Sequence, residues 1–349
     1  MLSSFGGDVD PVRGDCSCHY LEFPGAVDAG VASRRPRGVS MAVAVVTGAS
    51  GFVGRHLVCR LRDAGIDVVG VTHSKNSQMT PTQGVEWLYS DLEQDYRALS
   101  HVAATASFVF HCAGVVSRTS KSLAANVGMT RNVLRALDGS PARLVLLSSV
   151  GVYGLPGAPL VDESTRRNPV DEYEISKSQC EDEVQRMAHD WVIVRPSTVI
   201  GEDMPNRSLR GLVGAIRSGL FFYPGSRSGW MNYVHVDDVA GAVVALATNR
   251  NANGGAFNVS QCCSLQELVA VAQKTLSIYH SVSIVPMWLS RMAARVGDAL
   301  PAFPFTSSRL NALICVWQYS GVRLKEIGGW TFPMALADRI SQVVQEWYA

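Results

Sequence analysis

The chain has 349 residues, of which 47% are hydrophobic and 17% are charged, and its formal net charge is +1 at pH 7. This near-neutral balance argues against a nucleic-acid surface or a polyanionic partner, so we expect a small-molecule ligand. The sequence has no uncharged apolar run of about eighteen residues, which argues against a membrane span.

The first forty residues have no hydrophobic periodicity and contain many glycines and prolines, with the basic run Arg34-Arg35-Pro36-Arg37 near their end. This composition is typical of an arm that does not pack against a core, and it differs from that of a signal peptide. We therefore expect residues 1–40 to be disordered and the folded chain to begin near Met41.

The eight cysteines lie mostly in apolar or helical patterns and form no Cys-x-x-Cys pair. Cys16-x-Cys18 and Cys262-Cys263 are compatible with redox pairs or metal ligands, but no histidine or further cysteine stands at zinc spacing. We expect reduced cysteines, a cytoplasmic location and no bound metal.

An apolar run at 43–47 is followed by three regularly spaced glycines and then by apolar residues at helical spacing. The change of period predicts a buried strand, a tight turn and a helix. Glycines let a turn approach a pyrophosphate, and the helix N-terminus offers N–H groups to it. The spacing differs from the common Gly-x-Gly-x-x-Gly, and an ordinary loop is the alternative, but the context favours a dinucleotide site. The predicted contacts are Gly48, Ser50, Gly51, Phe52, Val53 and Gly54.

The second strand, predicted at 67–71, leads into Thr72-His73-Ser74-Lys75. An acidic residue here binds the adenosine ribose of NAD, whereas the additional phosphate of NADP needs a cation. Because the run has a lysine and no acid, we predict NAD(P) binding with a slight preference for NADP, through Lys75 and with help from Arg55. The alternative is that both side chains are solvated.

Three more apolar runs predict strands at 85–89, 107–112 and 143–147, with a helix at 119–138. Strands and helices that alternate at this spacing predict a doubly wound parallel sheet of the Rossmann type. Ligands bind at the carboxyl ends of the strands in such a sheet. The small residues Ala113 and Gly114 after the fourth strand leave room for a flat cofactor.

Tyr173 and Lys177 stand four residues apart at the start of a helical pattern that runs to about His189. Residues at this spacing share one helix face, where an ammonium group stabilises a neighbouring phenolate. Such a tyrosine can serve as acid and base near neutral pH. Ser149 follows the fifth strand, where a hydroxyl at the cofactor edge is expected. The alternative is a surface tyrosine and lysine on a solvated face.

Together these segments resemble the extended short-chain dehydrogenase/reductases, also named the NAD-dependent epimerase/dehydratase family. The resemblance covers roughly residues 42 to 345, in the family's order. The matching residues are Thr47-Gly48-Ala49-Ser50-Gly51-Phe52-Val53-Gly54, Asp91-Leu92, His111-Cys112-Ala113-Gly114, Asn126, Ser148-Ser149 with Val152-Tyr153-Gly154, Tyr173-x-x-x-Lys177 with Glu181, Val194-Arg195-Pro196-Ser197-Thr198-Val199-Ile200-Gly201, and Val234-His235-Val236-Asp237-Asp238-Val239-Ala240.

The resemblance implies roles for the site residues. Tyr173 is expected to be the acid and base, Lys177 to assist it and hold the nicotinamide ribose, and Ser149 to bind the reacting oxygen. Ser149 is preferred to Ser148 because it lies three residues before Val152, as in the family. The other implied cofactor contacts are Asp91 at the adenine amino group, Pro196 and Ser197 at the nicotinamide, and Leu92, Cys112, Ala113, Gly114 and Asn126 without a more specific role.

From residue 202 onward the regular alternation ends. We expect a Rossmann domain at 41–201 and a smaller C-terminal substrate-binding lobe at 202–349, with residues near 232–260 returning to the Rossmann core. The predicted elements of the lobe are helices at 206–219, 264–277, 287–299 and 335–348 and a hairpin-like turn at 221–225.

The substrate is less clearly indicated. Val150 and Gly151 follow Ser149 where dehydratase members carry an Asp-Glu pair, which argues against elimination of water. Met231 stands where nucleotide-sugar members often have an arginine that binds the pyrophosphate. The arginines close enough in sequence to bind a diphosphate instead are Arg207, Arg210, Arg217 and Arg227. Of these, Arg207, Arg210 and Arg227 are the predicted substrate contacts.

Three functions are compatible with these features. The first is hydride transfer at a sugar carbon of a nucleotide sugar, as a 4-epimerase or a 4-ketoreductase. The second is a carbonyl reductase similar to the 3-beta-hydroxysteroid dehydrogenases or the dihydroflavonol reductases. The third is a noncatalytic NAD(P)-binding sensor or assembly subunit, which the presence of Ser149, Tyr173 and Lys177 disfavours. We also expect a homodimer.

Overall fold

The computed structural model describes residues 42–73, 85–116, 119–187, 190–300 and 305–348. The predicted arm at 1–40 and Lys75 lie outside these ranges. Among the described helices, none has both the length and the apolar character needed to cross a bilayer.

The strands in the described ranges are β1 (Val43–Thr47), β2 (Asp67–Thr72), β3 (Val85–Tyr89), β4 (Phe108–His111), β5 (Arg143–Leu147), β6 (Leu160–Val161), β7 (Trp191–Pro196), β8 (Thr198–Ile200), β9 (Tyr223–Pro224), β10 (Trp230–His235), β11 (Gly255–Val259), β12 (Gln261–Ser264), β13 (Ile284–Val285) and β14 (Gln318–Tyr319).

The α-helices in the same ranges are α1 (Phe52–Asp63), α2 (Arg97–Ala103), α3 (Ser120–Ala136), α4 (Glu172–Gln185), α5 (Ser208–Arg217), α6 (Val236–Thr248), α7 (Leu265–Thr275), α8 (Met287–Ala299), α9 (Ser307–Leu313), α10 (Val322–Glu326) and α11 (Leu336–Tyr348). Short 3₁₀ turns lie at Val150–Tyr153 and Arg250–Ala252.

The central sheet has seven described strands in the order β11-β7-β5-β4-β1-β2-β3. Every neighbouring pair in this sheet is parallel. One core cluster packs α1 and α6 on one face of the sheet, and another packs α2, α3 and α4 on the other. Burial on both faces explains the continuous apolar strands. The predicted doubly wound Rossmann-type sheet is confirmed.

The strand order reverses between β1 and β4, because β2 and β3 are added on one side of β1 and β4, β5, β7 and β11 on the other. The loops that follow β1 and β4 touch at this point. Gly48 has a φ of 67°, and a Cβ built on it would lie 2.7 Å from the backbone N and Cα of Ala113. A Cβ on Gly54 would lie 2.1 Å from the carbonyl oxygen of Gly48. The two glycines are therefore required by close backbone approach, and the crevice forms where ligands of open α/β sheets bind.

A second, smaller core lies among residues after 199. Strands β8, β10 and β12 form a three-stranded sheet, and side chains from α5, α7 and α11 cover it. The chain returns to the main sheet through α6, which packs against α1, and through β11, which pairs with β7.

The predicted hairpin-like turn at 221–225 is wrong. β9 at Tyr223–Pro224 pairs in parallel with β13 at Ile284–Val285. The amide of Gly225 also donates to the carbonyl oxygen of Val285 at 2.8 Å. The aromatic and Pro-Gly pattern indicated a local turn, but the partner strand comes from a distant part of the chain.

The close approach at Gly54 gives a test of the turn. We expect Gly54→Ala to lower the free energy of unfolding by about 1–3 kcal/mol, because the new Cβ overlaps the Gly48 carbonyl. Gly128→Ala, within α3, is the control: its Cβ has no neighbour within 4 Å, so it should raise stability by about 0.5–1 kcal/mol. Urea unfolding of both variants without cofactor measures the difference. Equal effects of the two substitutions would contradict the described turn.

Candidate active site

The N-terminus of α1 is open toward the crevice. No side chain caps the helix, and its first turn has no acidic residue. The amide of Gly51 donates to the carbonyl oxygen of Gly48 at 2.9 Å, which completes the turn. Ser50 is exposed, and its Oγ lies 3.0 Å from Oγ1 of Thr72 at the end of β2. The predicted pyrophosphate contacts thus surround an uncapped helix end that suits an anion.

Two charged side chains of α1 bind the segment after β8 and the start of α6. Arg55 forms an ion pair with Asp203. Nδ1 of His56 lies 2.8 Å from Oδ1 of Asp237. Burial alone lowers the pKa of His56, but Asp203 and Asp237 outweigh it and raise that pKa to about 9. These contacts join α1 to the segment after β8 and to the start of α6. The guanidinium of Arg55 is thus bound to Asp203 and not to a residue at the end of β2.

The end of β4 forms an uncharged wall. Nδ1 of His111 lies 2.8 Å from Oγ1 of Thr47, and its Nε2 lies 3.1 Å from Oγ1 of Thr130. Burial, with a smaller effect of Lys177, lowers the pKa of His111 to about 3. Burial also raises the pKa of Cys112 to about 12. Both groups are therefore neutral near pH 7, and small residues Ala113 and Gly114 follow them.

Asn126 connects this wall to α4. Its Oδ1 accepts from the amide of Val115 at 2.7 Å, and its Nδ2 donates to the carbonyl oxygen of Val115 at 3.0 Å. Nδ2 also donates to Oγ of Ser176 at 2.9 Å. Because every polar atom of the amide is used inside the protein, Asn126 shapes the loop that was predicted to contact the cofactor.

The helix that carries Tyr173 and Lys177 begins with a capping box. Asp171 accepts from the amide of Glu174, and the Glu174 carboxylate accepts from the amide of Asp171. Lys177 is buried, and its Nζ donates to the carbonyl oxygen of Leu147, at the end of β5, at 2.9 Å. A Cβ on Gly114 would lie 3.2 Å from Nζ. Lys177 thus reaches the edge of the crevice between β4 and β5.

Ser149 lies at the same edge. It caps the 3₁₀ turn at 150–153, and its Oγ accepts from the amide of Gly151 at 3.0 Å. A Cβ on Gly151 would lie 3.0 Å from Cγ of Glu174, so this turn packs against the first turn of α4. Tyr173 belongs to that first turn and is half-buried. The structure therefore brings Ser149, Tyr173 and Lys177 to one region.

A buried ion pair lies one helical turn beyond Lys177. Arg195 on β7 donates from Nε and Nη2 to the two carboxylate oxygens of Glu181, at 2.9 and 2.7 Å. Ser148 donates to Oε1 of Glu181 at 2.6 Å. Nη1 of Arg195 donates to the hydroxyl of Tyr153, which donates to Oδ1 of Asn258, each at 2.8 Å. This network joins α4 to three segments at the carboxyl ends of the sheet strands.

The remaining predicted cofactor contacts differ in exposure. Asp91 is exposed beyond β3, whereas Leu92 is buried and Nδ2 of Asn132 donates to its carbonyl oxygen at 2.8 Å. Pro196 ends β7, and Ser197 follows it with a buried Oγ that has no hydrogen-bond partner among the described residues. An unpartnered buried hydroxyl next to the crevice fits a site that receives a polar ligand group.

The three predicted substrate arginines are exposed, and two of them lie over different aromatic rings. The guanidinium of Arg210 lies 5.7 Å from the ring centre of Trp347 on α11, and that of Arg227 lies 5.2 Å from the ring centre of Tyr223. Arg207 precedes α5 and does not cap it with its side chain. Met231 is buried in the smaller core, so an apolar side chain occupies that position.

Sequence reasoning missed the roles of Glu181 and Arg195, although both belong to matching motifs. The signal available was a lone arginine inside the apolar run of β7, but Glu181 is one of three consecutive acids on α4, and only the fold shows which of them binds Arg195. Within the described ranges, no three His, Cys, Asp or Glu side chains converge as a metal site requires.

Comparison with known proteins gives a family model and relatives. The model of the NAD dependent epimerase/dehydratase family matches residues 44–260. The chain is 29% identical, over 73% of its length and 79% of the relative's, to 4-hydroxy-2-methyl-3-oxo-4-farnesyl-3,4-dihydroquinoline-1-oxide ketoreductase of Stigmatella aurantiaca. It is 24% identical, over 86% of its length and 94% of the relative's, to N-acetyl-alpha-D-glucosaminyl-diphospho-ditrans,octacis-undecaprenol 4-epimerase of Escherichia coli O157:H7.

The fold is also similar to solved structures. The UDP-glucose 4-epimerase of Thermotoga maritima superposes with a TM-score of 0.67 at 17% identity, covering 87% of this chain and 98% of that one. At this identity the similarity concerns the fold alone.

The buried ion pair gives a second prediction. We expect Glu181→Gln to lower the free energy of unfolding by about 3–5 kcal/mol, because it leaves the buried charge of Arg195 without a counter-charge. Glu183→Gln, on the same helix, removes the partner of Arg131, whose side chain is 57% exposed. That control should cost less than about 1 kcal/mol. Urea unfolding at neutral pH measures both, and similar losses for the two variants would contradict a special role of the buried pair.

Proposed function

Because the chain belongs to the NAD-dependent epimerase/dehydratase family, we propose that it transfers a hydride between a nicotinamide cofactor and a carbon that alternates between secondary alcohol and ketone. The observation that carries the proposal is the buried Lys177, one helical turn after Tyr173 and beside Gly114 at the edge of the crevice. Ser149 supplies a hydroxyl on a turn that packs against the same helix.

The side chains divide the proton chemistry among them. Tyr173 gives a proton to the carbonyl oxygen during reduction and takes it back during oxidation. Lys177, one helical turn after Tyr173, retains N–H groups for a ribose hydroxyl, since one of its three is bonded to Leu147. Ser149 donates to the substrate oxygen and orients it. A bound nicotinamide supplies the hydride donor or acceptor.

Several features fit a dinucleotide in this crevice. The turn at Gly48 and Gly54 has no room for side chains, and α1 begins without a cap or an acid. The Oγ of Ser197 is buried without a partner, which suits a polar group of the nicotinamide side. Asp91 is exposed and available to the adenine.

We keep NADP as the preferred form of the cofactor. The preference depends on the sequence Thr72-His73-Ser74-Lys75, which contains no acid. Ser74 and Lys75 lie outside the described residues. Arg55 supports it less than expected, because its guanidinium is bound to Asp203.

A nucleotide-linked sugar is the first proposed substrate class. The relative from E. coli has a name that specifies a diphosphate-linked sugar and a 4-epimerase. The exposed Arg207, Arg210 and Arg227 supply cations on the smaller lobe for a diphosphate. Val150 and Gly151 after Ser149 offer no acid for dehydration, so the proposed outcomes are epimerisation at C4 or reduction of a 4-keto sugar.

An apolar ketone is the second candidate, and a specific observation favours it. Met231 is buried in the smaller core where a pyrophosphate-binding arginine is common in nucleotide-sugar members. Arg210 is stacked on Trp347. The relative from S. aurantiaca is a ketoreductase whose name specifies a farnesylated substrate. These features together favour a carbonyl reductase.

The fate of the hydride separates the candidates. With UDP- or dTDP-linked hexoses, an epimerase is expected to change the sugar without net consumption of NAD(P)H. With the corresponding 4-keto hexoses, a ketoreductase is expected to oxidise one NADPH for each alcohol formed. Absorbance at the nicotinamide band and chromatography of the sugars measure both. If calorimetry with cofactor present detects no nucleotide-sugar binding while an apolar ketone oxidises NADPH, the second candidate replaces the first.

Replacement of the proposed acid and base tests the mechanism with whichever substrate turns over. We expect Tyr173→Phe to lower kcat by about two to four powers of ten, because the proton has no donor. Fluorescence titration should show that the variant still binds NADPH. The same titration of the wild type should show that NADPH binds at least as tightly as NADH. Tyr279→Phe, at an 86% exposed tyrosine, is the control and should leave kcat unchanged. Near-full activity of Tyr173→Phe would remove this tyrosine from the mechanism.

A further inference from the structure

Helix α8 buries small side chains and exposes most of its large apolar ones. The side chains that it buries are small, namely Ser290, Ala294 and Gly297. Apart from Met287 in its first turn, its larger apolar side chains are exposed. The exposed stripe consists of Trp288 (65% exposed), Leu289 (40%), Met292 (54%), Val296 (50%) and Leu300 (52%).

The stripe is continuous along the helix. Trp288, Met292 and Val296 follow one another at intervals of four residues and therefore lie on one face. A helix of this length extends for about 20 Å. Exposed apolar side chains that occur singly are ordinary, but a stripe of four on one helix, followed by Leu300 at its C-cap, indicates a surface that is covered by another molecule.

The charges around the stripe are basic. Arg291 and Arg295 stand three residues after Trp288 and Met292, so they line one border of the stripe. Both are exposed, and neither forms an ion pair with a described residue. Helix α8 itself carries two basic residues, Arg291 and Arg295, and one acid, Asp298. The carboxylate of Asp298 already accepts from the amide and the hydroxyl of Ser307.

Further exposed apolar side chains lie on segments next to α8. Ile284 is 51% exposed on β13, which leads into the helix, and Leu220 is 77% exposed just before β9, the partner of β13. These positions widen the apolar surface beyond the helix.

We propose that this stripe docks the protein on an anionic phospholipid membrane, with α8 lying in the plane of the interface. Tryptophan, leucine and methionine enter the boundary between headgroups and acyl chains, and the arginines bind lipid phosphates. A second copy of the chain fits less well, because a two-fold contact would bring Arg291 and Arg295 against the same arginines, and Asp298, the one acid of α8, already binds Ser307. A lipid surface supplies the missing negative charges.

Vesicle binding by the full-length protein tests the proposal. Vesicles of phosphatidylcholine alone are compared with vesicles that also contain phosphatidylglycerol, by sedimentation at low and at higher salt. We expect the wild type to bind the anionic vesicles, with weaker binding at higher salt. Arg291→Gln with Arg295→Gln should lower the partition coefficient about fivefold for each arginine. Trp288→Gln, Met292→Gln and Val296→Gln combined should lower it by more than about tenfold.

A matched control removes exposed apolar groups elsewhere. Leu160→Gln with Val322→Gln changes side chains that are 60% and 58% exposed outside the stripe, and it should leave vesicle binding unchanged. Because all these positions are exposed, thermal unfolding should be alike in every variant. Three results would overturn the proposal: no binding of the wild type to anionic vesicles, equal losses in the control and the α8 variants, or binding that does not depend on anionic lipid. A lower molar mass of the α8 triple variant in light scattering would also overturn it, in favour of a second copy.

Discussion

The position of α4 depends on one buried ion pair. Glu181 has a fully buried carboxylate that binds Arg195 through two N–H groups and accepts a third hydrogen bond from Ser148. Tyr173, Lys177 and Glu181 follow one another at intervals of one helical turn, so the anchor and the two proposed reacting groups share a face. The pair therefore determines the rotation and the depth at which this helix meets the end of β5.

The same network extends to the turn that carries Ser149, whose hydroxyl is proposed to bind the substrate. Ser148 precedes Ser149, and Tyr153 ends the 3₁₀ turn that Ser149 caps. Because Arg195 also binds the Tyr153 hydroxyl, the turn and the helix are held by one guanidinium. A buried charge pair contributes little net stability unless its polar atoms are hydrogen-bonded, and here each guanidinium nitrogen and each carboxylate oxygen has a partner. Its main effect is a unique arrangement of groups around the crevice.

The sequence predicted the parts of the molecule that depend on local patterns. Strands buried on both faces give apolar runs, so β5 at Arg143–Leu147 was predicted with the bounds that the structure has. The predicted bounds of β3 at Val85–Tyr89 also match, although this edge strand is only partly buried. Tyr173 and Lys177 were found because their spacing of four residues is itself a helical signal. The helices at 264–277 and 287–299 were also predicted within two residues of α7 and α8.

The features that depend on distant contacts were not predictable in this way. The pairing of β9 with β13 joins segments about sixty residues apart, so the Pro-Gly turn at Pro224-Gly225 gave a wrong hairpin. The pattern of α8 predicted a helix but not which side faces solvent, because small residues on the opposite side provide the packing. The pairing of Arg195 with Glu181, rather than with the neighbouring Asp182 or Glu183, is determined only by the assembled fold.

A crystal structure of the full-length protein with bound NADPH is the most direct measurement of the central claim, which is that α4 presents Lys177 and Tyr173 to a nicotinamide in this crevice. The expected result is a pyrophosphate on the N–H groups at the start of α1, a nicotinamide ribose within hydrogen-bond distance of Nζ of Lys177, and an intact Glu181–Arg195 pair. A dinucleotide bound elsewhere, or one whose ribose makes no contact with Lys177, would contradict the claim.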